Sequence, residues 1–446
     1  MELARQRAIE LLHQQEALRR EFADWRARSQ GGQPLEKHNT QIARLTAQLE
    51  GFLAAMGQPD LANPSFDENE RIYSRLLGAH RIWAYFRSKL ALRDVAWLSP
   101  ALKAADELAW KCYEPARLAA KAAGAIDANA LKEPPLVFFN TDATPFAQAR
   151  DMPFAPEGIT SRDALNFGLA ILKLPIPLVG IPWFQLDHLP SSVVIAHEAG
   201  HAVDRDFGLR DVLSAAIAAA PLPDDRKPAW SKWLPELLAD CYGMLGVGAA
   251  YVYALIDYLA DKPDVIERET RTEPDWQTYP TRYLRVLFNL KVLELLDLSI
   301  DELTAAWTDA YAFHQLDSFE DDLEPVAEII LGTALPVFGS KPLVDVIRFD
   351  AERDQKMALK QARNIVEGFQ LDKSTPVRTL MSAATLAYVR DPLKYAERNA
   401  NDGVLNLIVA AIPPGVRKAE QLSGQQNTNL QQADAAAGAA LLDLFE

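Results

Sequence analysis

The sequence predicts a mainly α-helical protein with a small β-sheet, an α+β fold. Apolar residues recur at helical spacing through most of the chain, whereas only two short segments, Leu136–Phe139 and Leu174–Trp183, read as extended. With 446 residues and 49% hydrophobic content, the chain is long enough to bury a large core in two or three structural units.

Residues 1–57 read as a helical hairpin. Leu11, Leu18, Phe22 and Trp25 make one apolar stripe, and Ser29-Gln30-Gly31-Gly32-Gln33-Pro34 breaks it. In the second arm Ile42, Leu45, Leu49, Phe52 and Met56 alternate steps of three and four, the spacing of a coiled-coil seam. Each arm covers barely two heptads, so burial of the stripes within the chain and self-association or partner binding through them both stay open. Residues 58–133 continue as helices rich in Ala, Leu, Trp and Arg.

At Pro134 the texture changes. Leu136-Val137-Phe138-Phe139 predicts a buried strand, and Pro145, Pro153 and Pro156 mark loops, so a second unit is expected over 134–395. Leu174 to Trp183, apolar and interrupted by proline, suits an edge strand, where an extended peptide can pair. Leu189-Pro190-Ser191-Ser192 before Val193-Val194-Ile195-Ala196 predicts a serine-capped helix start. Pro235 is expected in the first turn of a further helix. The longest apolar run, Cys241 to Ile256, reads as one buried core helix, too short to span a bilayer. Val286–Leu298, Glu302–Phe313 and most of 321–395 repeat at helical period. Residues 396–446 form a C-terminal helical segment; Gln421 to Ala440, rich in Gln, Asn and Ala, is expected to be loosely packed or partly disordered.

A net charge of −15 argues against a nucleic-acid or anionic-membrane surface. Only Cys112 and Cys241 occur, far apart, which predicts no disulfide framework and a reducing cytoplasm. The first residues lack the apolar core of a signal peptide. There is no internal repeat, no phosphate-cradling glycine loop and no serine triad.

His197-Glu198-Ala199-Gly200-His201 carries the chemistry. Two imidazoles four residues apart on a helix share one face and can bind one metal ion, while Glu198 projects beside it, placed to take a proton from a water there. Histidine is scarce, seven in the chain, which sharpens the signal. Two histidines need a third ligand. An extension with Gly three and His six residues beyond His201 is absent, because Asp204 and Phe207 stand there. Glu236 and Asp240, at i and i+4 on an otherwise apolar helix, are costly to bury without partners, and a metal and an imidazole N–H are such partners. Asp204 reads as an acid beside the site or facing solvent, and His188 as a loop histidine.

With HExxH at 197–201 and ExxxD at 236–240, residues 170–290 resemble the gluzincin metallopeptidases, the thermolysin-like branch of the HExxH zinc enzymes. The resemblance implies a zincin-like catalytic unit in which a motif helix and a ligand helix face a cleft floored by a strand. It implies Zn2+ bound by His197, His201 and Glu236, Glu198 as general base, and Asp240 holding a ligand histidine from behind. Tyr279-Pro280-Thr281-Arg282-Tyr283-Leu284-Arg285 looks like the His-Pro-x-x-x-x-Arg stretch of many bacterial gluzincin-like proteins, with Tyr279 in the place of His. By that likeness Tyr279 stabilises an oxyanion and Arg285 orients a substrate carbonyl or carboxylate; in the ordinary alternative, Tyr279 caps a helix and Arg285 pairs with a surface acid. The implied activity is hydrolysis of peptide bonds in a peptide or protein substrate. The same chemistry reaches other amides or esters, and a metal-stabilised inactive homologue or scaffold, recruiting a partner through the hairpin, is the alternative of a different class. Retention of Glu198 favours the enzyme.

Overall fold

A computed structural model of the chain describes residues 2–126, 133–140, 146–148, 176–185, 188–269, 276–298, 301–311, 319–417 and 424–445. The expected loops at Pro145, Pro153 and Pro156 lie outside these residues, as do Leu174 and Pro175. The helices of ten or more residues are α1 (Glu2–Arg28), α2 (Asn39–Met56), α3 (Phe66–Ala91), α4 (Ser99–Ala122), α5 (Ile195–Phe207), α6 (Leu209–Ala219), α7 (Lys227–Val247), α8 (Ala249–Leu259), α9 (Arg282–Leu295), α10 (Asp301–Ala310), α11 (Leu323–Gly332), α12 (Lys356–Glu367), α13 (Val377–Arg390), α14 (Ala400–Ala411) and α15 (Gly424–Leu441). The mainly helical expectation therefore holds. No helix among the described residues is long and apolar enough to cross a membrane.

Three short strands make one mixed sheet: β1 (Leu136–Asn140), β2 (Phe146–Gln148) and β3 (Leu178–Pro182), in the order β1-β3-β2. β3 pairs in parallel with β1, Leu136 opposite Leu178, and antiparallel with β2, Phe146 opposite Gly180. The segment expected at a sheet edge is thus central. Its prolines allow this because Pro177 contributes only its carbonyl, accepting from Leu136 N at 2.8 Å, and Pro182 ends the ladder.

The sheet divides two cores. Strand side chains alternate between faces, so Leu136, Phe138 and Leu178 join a core made by α1, α2 and α3, while Val137, Phe139, Val179 and Ile181 join the larger one. Both faces are covered, hence the unbroken apolar strand sequences. The hairpin stripes are all spent inside the smaller core, where Phe22 and Trp25 meet the Trp83 ring of α3 edge-on at 5.2 and 5.5 Å. α4 packs with the larger core: its Tyr113 hydroxyl reaches Asp206 of α5 at 2.7 Å. The division drawn at residue 133 therefore cuts through one hydrophobic core.

Three further expectations are corrected. The run Cys241–Ile256 is two helices, broken at Gly248 (φ 65°, ψ −150°), where a Cβ would meet the Phe349 ring at 2.5 Å. Pro235 sits inside α7, which starts two turns earlier with Pro228 in its first turn. The tail is a tightly docked helix. α15 crosses α2 where Gly51 and Gly438 leave no room for a Cβ, and buried Asp434 accepts from Arg44 Nε and Nη2 at 3.0 and 2.9 Å and from Gln48 Nε2 at 3.0 Å.

Candidate metal centre

The motif helix begins differently from the expected serine cap. Leu189–Val194 forms a 3-10 turn, and Ile195 N donates back to Ser192 and Val193 carbonyls, so the first α-helical N–H groups need no side-chain acceptor. Ser191 Oγ instead contacts His188 Nδ1 at 2.6 Å, and the His188 ring meets Tyr388 edge-on. His188 takes no part in the cluster.

α5 and α7 cross closely because small residues face each other. A Cβ on Gly200 would stand 2.8 Å from Tyr242 Cβ and 3.0 Å from Ala239 Cα; one on Gly246 would stand 3.0 Å from Ala196 Cβ. At this separation His197, His201 and Glu236 converge, each offering a ligand atom within 4.8 Å of the others. His197 Nε2 is 3.6 Å from Glu236 Oε2, and His201 Nε2 is 3.5 Å from Glu236 Oε1. Ligands of a tetrahedral zinc, at about 2.0–2.1 Å, lie about 3.3–3.4 Å apart. All three residues are buried, as is Glu198, one residue along from His197.

Behind the cluster Asp240 is wholly buried and saturated with donors. His197 Nδ1 lies 2.8 Å from Oδ1, which orients the ring and leaves Nε2 toward the cluster. Arg285 Nη2 donates to Oδ1 at 2.7 Å and Nε to Oδ2 at 2.8 Å, Asn289 Nδ2 donates to Oδ2 at 3.0 Å, and the Tyr251 hydroxyl donates to Oδ1. Burial opposes ionisation of Asp240, but the Arg285 guanidinium and these hydrogen bonds hold it far below the usual carboxylate range. Glu236 is lowered too, burial being outweighed by its histidine and Arg285 neighbours. The two imidazoles split. Burial works against a charged His197, yet its bonds to Asp240 and Glu236 raise it, whereas burial and the neighbouring His197 lower His201.

The donor set fits a divalent cation. Two buried carboxyl groups, Glu236 and Asp240, share one buried guanidinium, Arg285, and with the buried Glu198 beside His197 the acids outnumber it, a difference that a doubly charged ion would offset. Two nitrogens and one carboxylate are also the donor types zinc takes.

For two residues one of the alternative readings is excluded. Arg285 is buried, its guanidinium committed to Asp240 and, at 3.4 Å, to Glu236 Oε2, so the acids it pairs with are buried ones of the cluster and not a surface acid. Of the two readings of Asp204 the solvent-facing one fails: it is buried and bonded to the Arg210 backbone N–H and guanidinium. Tyr279 is half-exposed, with the Arg285 guanidinium 5.4 Å over its ring. Burial, followed by the negative Glu236, raises its hydroxyl above the ordinary value, so it remains a donor.

Tyr251 and Asn289 were missed as site residues. Tyr251 was hidden in an apolar run read as one straight helix; Gly248 was the available signal for the turn that returns it to Asp240. Asn289 stands four residues after Arg285, on the same face of α9.

The fold and the cluster define a mainly helical protein whose two central helices assemble a buried His-His-carboxylate group. The chain matches no protein-family model, no curated protein and no solved structure.

Proposed function

We propose that this protein is a zinc-dependent metallopeptidase of the gluzincin type, cleaving peptide bonds with Glu198 as general base. One observation carries the proposal: His197, His201 and Glu236 converge within 4.8 Å of one another, each imidazole 3.5–3.6 Å from a Glu236 oxygen, in a buried site that also holds Glu198. A divalent metal bound there supplies Lewis acidity, lowering the pKa of a water toward about 7 and polarising the acyl oxygen. Glu198 accepts the proton of the attacking water and returns it to the leaving amine. Tyr279, still protonated, donates to the oxyanion that develops. Arg285 and Asn289 keep Asp240 ionised, and Asp240 holds His197. Both cysteines are free and buried, which suits the reducing cytoplasm of this reading.

The test combines elemental analysis with turnover of a peptide library. About one zinc per chain, lost in His197→Ala and Glu236→Ala, is expected. Glu198→Gln should keep the zinc and lose peptide cleavage by at least about 10²-fold. A wild type that takes up no zinc, or a Glu198→Gln variant as fast as wild type, would overturn the proposal.

A further inference from the structure

We infer that Tyr251 is a positioning residue of the metal centre, whose hydroxyl fastens the Asp240–His197 pair and so aims His197 Nε2 at the cation. The inference rests on the metal-centre reading.

Three polar atoms form a closed triangle. Tyr251 Oη donates to Asp240 Oδ1 and lies 3.0 Å from His197 Nδ1, and Nδ1 lies 2.8 Å from the same Oδ1. The hydroxyl has one proton to give and two possible takers. Asp240 is an acceptor only, so a ring nitrogen at hydrogen-bond distance from it must carry a proton. Nδ1 then donates to Oδ1, Tyr251 donates to the same oxygen, and Nε2 is left bare for the metal. The other tautomer would put two acceptors face to face, and the hydroxyl could satisfy only one of them.

The phenol ring adds a second constraint. It lies nearly parallel to the His197 ring, 10° between planes with centroids 5.7 Å apart, and so restricts rotation of the imidazole. Its seat is Gly243, where a Cβ would come within 2.9 Å of the ring. Thus α7 supplies Asp240, the glycine under Tyr251 and the ligand Glu236, while the break at Gly248 turns the chain back so that Tyr251 reaches the first two. Tyr242, on the same helix and equally buried, donates its hydroxyl to the Cys112 carbonyl at 2.6 Å and not to Asp240, which makes it a matched control.

The experiment measures zinc affinity by chelator competition and the visible spectrum of the Co2+-substituted protein. Tyr251→Phe should bind zinc about 10- to 100-fold more weakly, the usual cost of losing a partner behind a ligand, and should shift the cobalt spectrum. Tyr242→Phe should leave both unchanged. In an Asp240→Asn background, Tyr251→Phe should cause no further loss, because its route to the metal runs through Asp240. Affinity within twofold of wild type together with an identical cobalt spectrum overturns the inference while leaving the metal centre standing. A wild type that binds no zinc sinks the metal-centre reading itself. Should Tyr251→Phe not fold, 3-fluorotyrosine at position 251, a stronger donor of nearly the same shape, must shift the cobalt spectrum, and an unshifted spectrum refutes the role.

Discussion

Arg285 and Asp240 are joined by two hydrogen bonds, Nε to Oδ2 at 2.8 Å and Nη2 to Oδ1 at 2.7 Å, in a region closed to water. Such a fork is planar on both sides and satisfies each charge only while the other is present. Replacing Arg285 by Met should therefore cost about 3–5 kcal/mol in urea unfolding, because it leaves a buried carboxylate without its cation. Arg285→Lys keeps the charge but loses the fork and should fall between the two. A Met variant within about 1 kcal/mol of wild type would show that Tyr251 and Asn289 alone can stabilise Asp240.

The spacing of His197, His201 and Glu236 depends on how closely α5 and α7 approach. Alanine at Gly200 must push against Tyr242 Cβ at 2.8 Å and the Ala239 backbone at 3.0 Å. Overpacking of this kind costs about 1–3 kcal/mol, against at most about 1 kcal/mol gained from helix propensity. Gly200→Ala should lower both the thermal midpoint and zinc affinity. Full zinc affinity in a destabilised variant would mean that the ligands re-form at a wider crossing.

α15 is held on α2 by a comparably close contact. A Cβ on Gly438 would lie 1.8 Å from the Gln48 carbonyl oxygen, so Gly438→Ala should undock the helix. Limited proteolysis within 424–441 should become faster, while zinc content stays at the wild-type value, because the sheet separates this core from the proposed metal site. Loss of zinc in this variant would show the two cores to be coupled.

A buried histidine outside the His197–His201–Glu236 cluster predicts acid sensitivity. His38 contacts Gln41 Oε1 at 2.7 Å, Asp106 Oδ2 at 3.1 Å and the Arg93 guanidinium at 2.8 Å, with Arg417 also acting on it. Burial, reinforced by Arg93 and Arg417 and opposed by Asp106, lowers its pKa below the ordinary value. The unfolded state therefore binds the proton more readily: the contribution is fully present above about pH 6.5 and is lost as pH falls from there toward the folded value. Asp106, held far down despite burial by Arg93 and His38, acts with the same sign at lower pH. Urea midpoints at pH 7.5, 6.5 and 5.5 should decline, and His38→Gln should flatten the decline; an equal slope in that variant would assign the effect to other groups.

Much of the site could be read from local spacing. His197 and His201 lie on one helix face for the same reason that any i and i+4 pair does, and Glu236 and Asp240 repeat that relation on α7. The role of Arg285 could not be read this way. A basic residue near a motif looks the same in sequence whether it faces a substrate or is buried against an acid 45 positions away, and only the packing of α9 on α7 chose the second. The same holds for α15: a run of Gln, Asn and Ala has little apolar surface to signal docking, and its packing rests on two glycines and one buried aspartate meeting a helix nearly four hundred residues earlier.

By itself, then, the sequence determined the elements and motifs whose cause is local: the helical periods, the short apolar strands and the two pairs of residues one helical turn apart. Tertiary structure decided what each of those faces meets. It placed β3 in the centre of the sheet, buried the hairpin stripes within the chain, broke the long apolar run at Gly248 and brought Tyr251, Arg285 and Asn289 around Asp240. Helical spacing follows from backbone geometry over a few residues, whereas these pairings depend on the close approach of segments that composition and periodicity describe only one at a time.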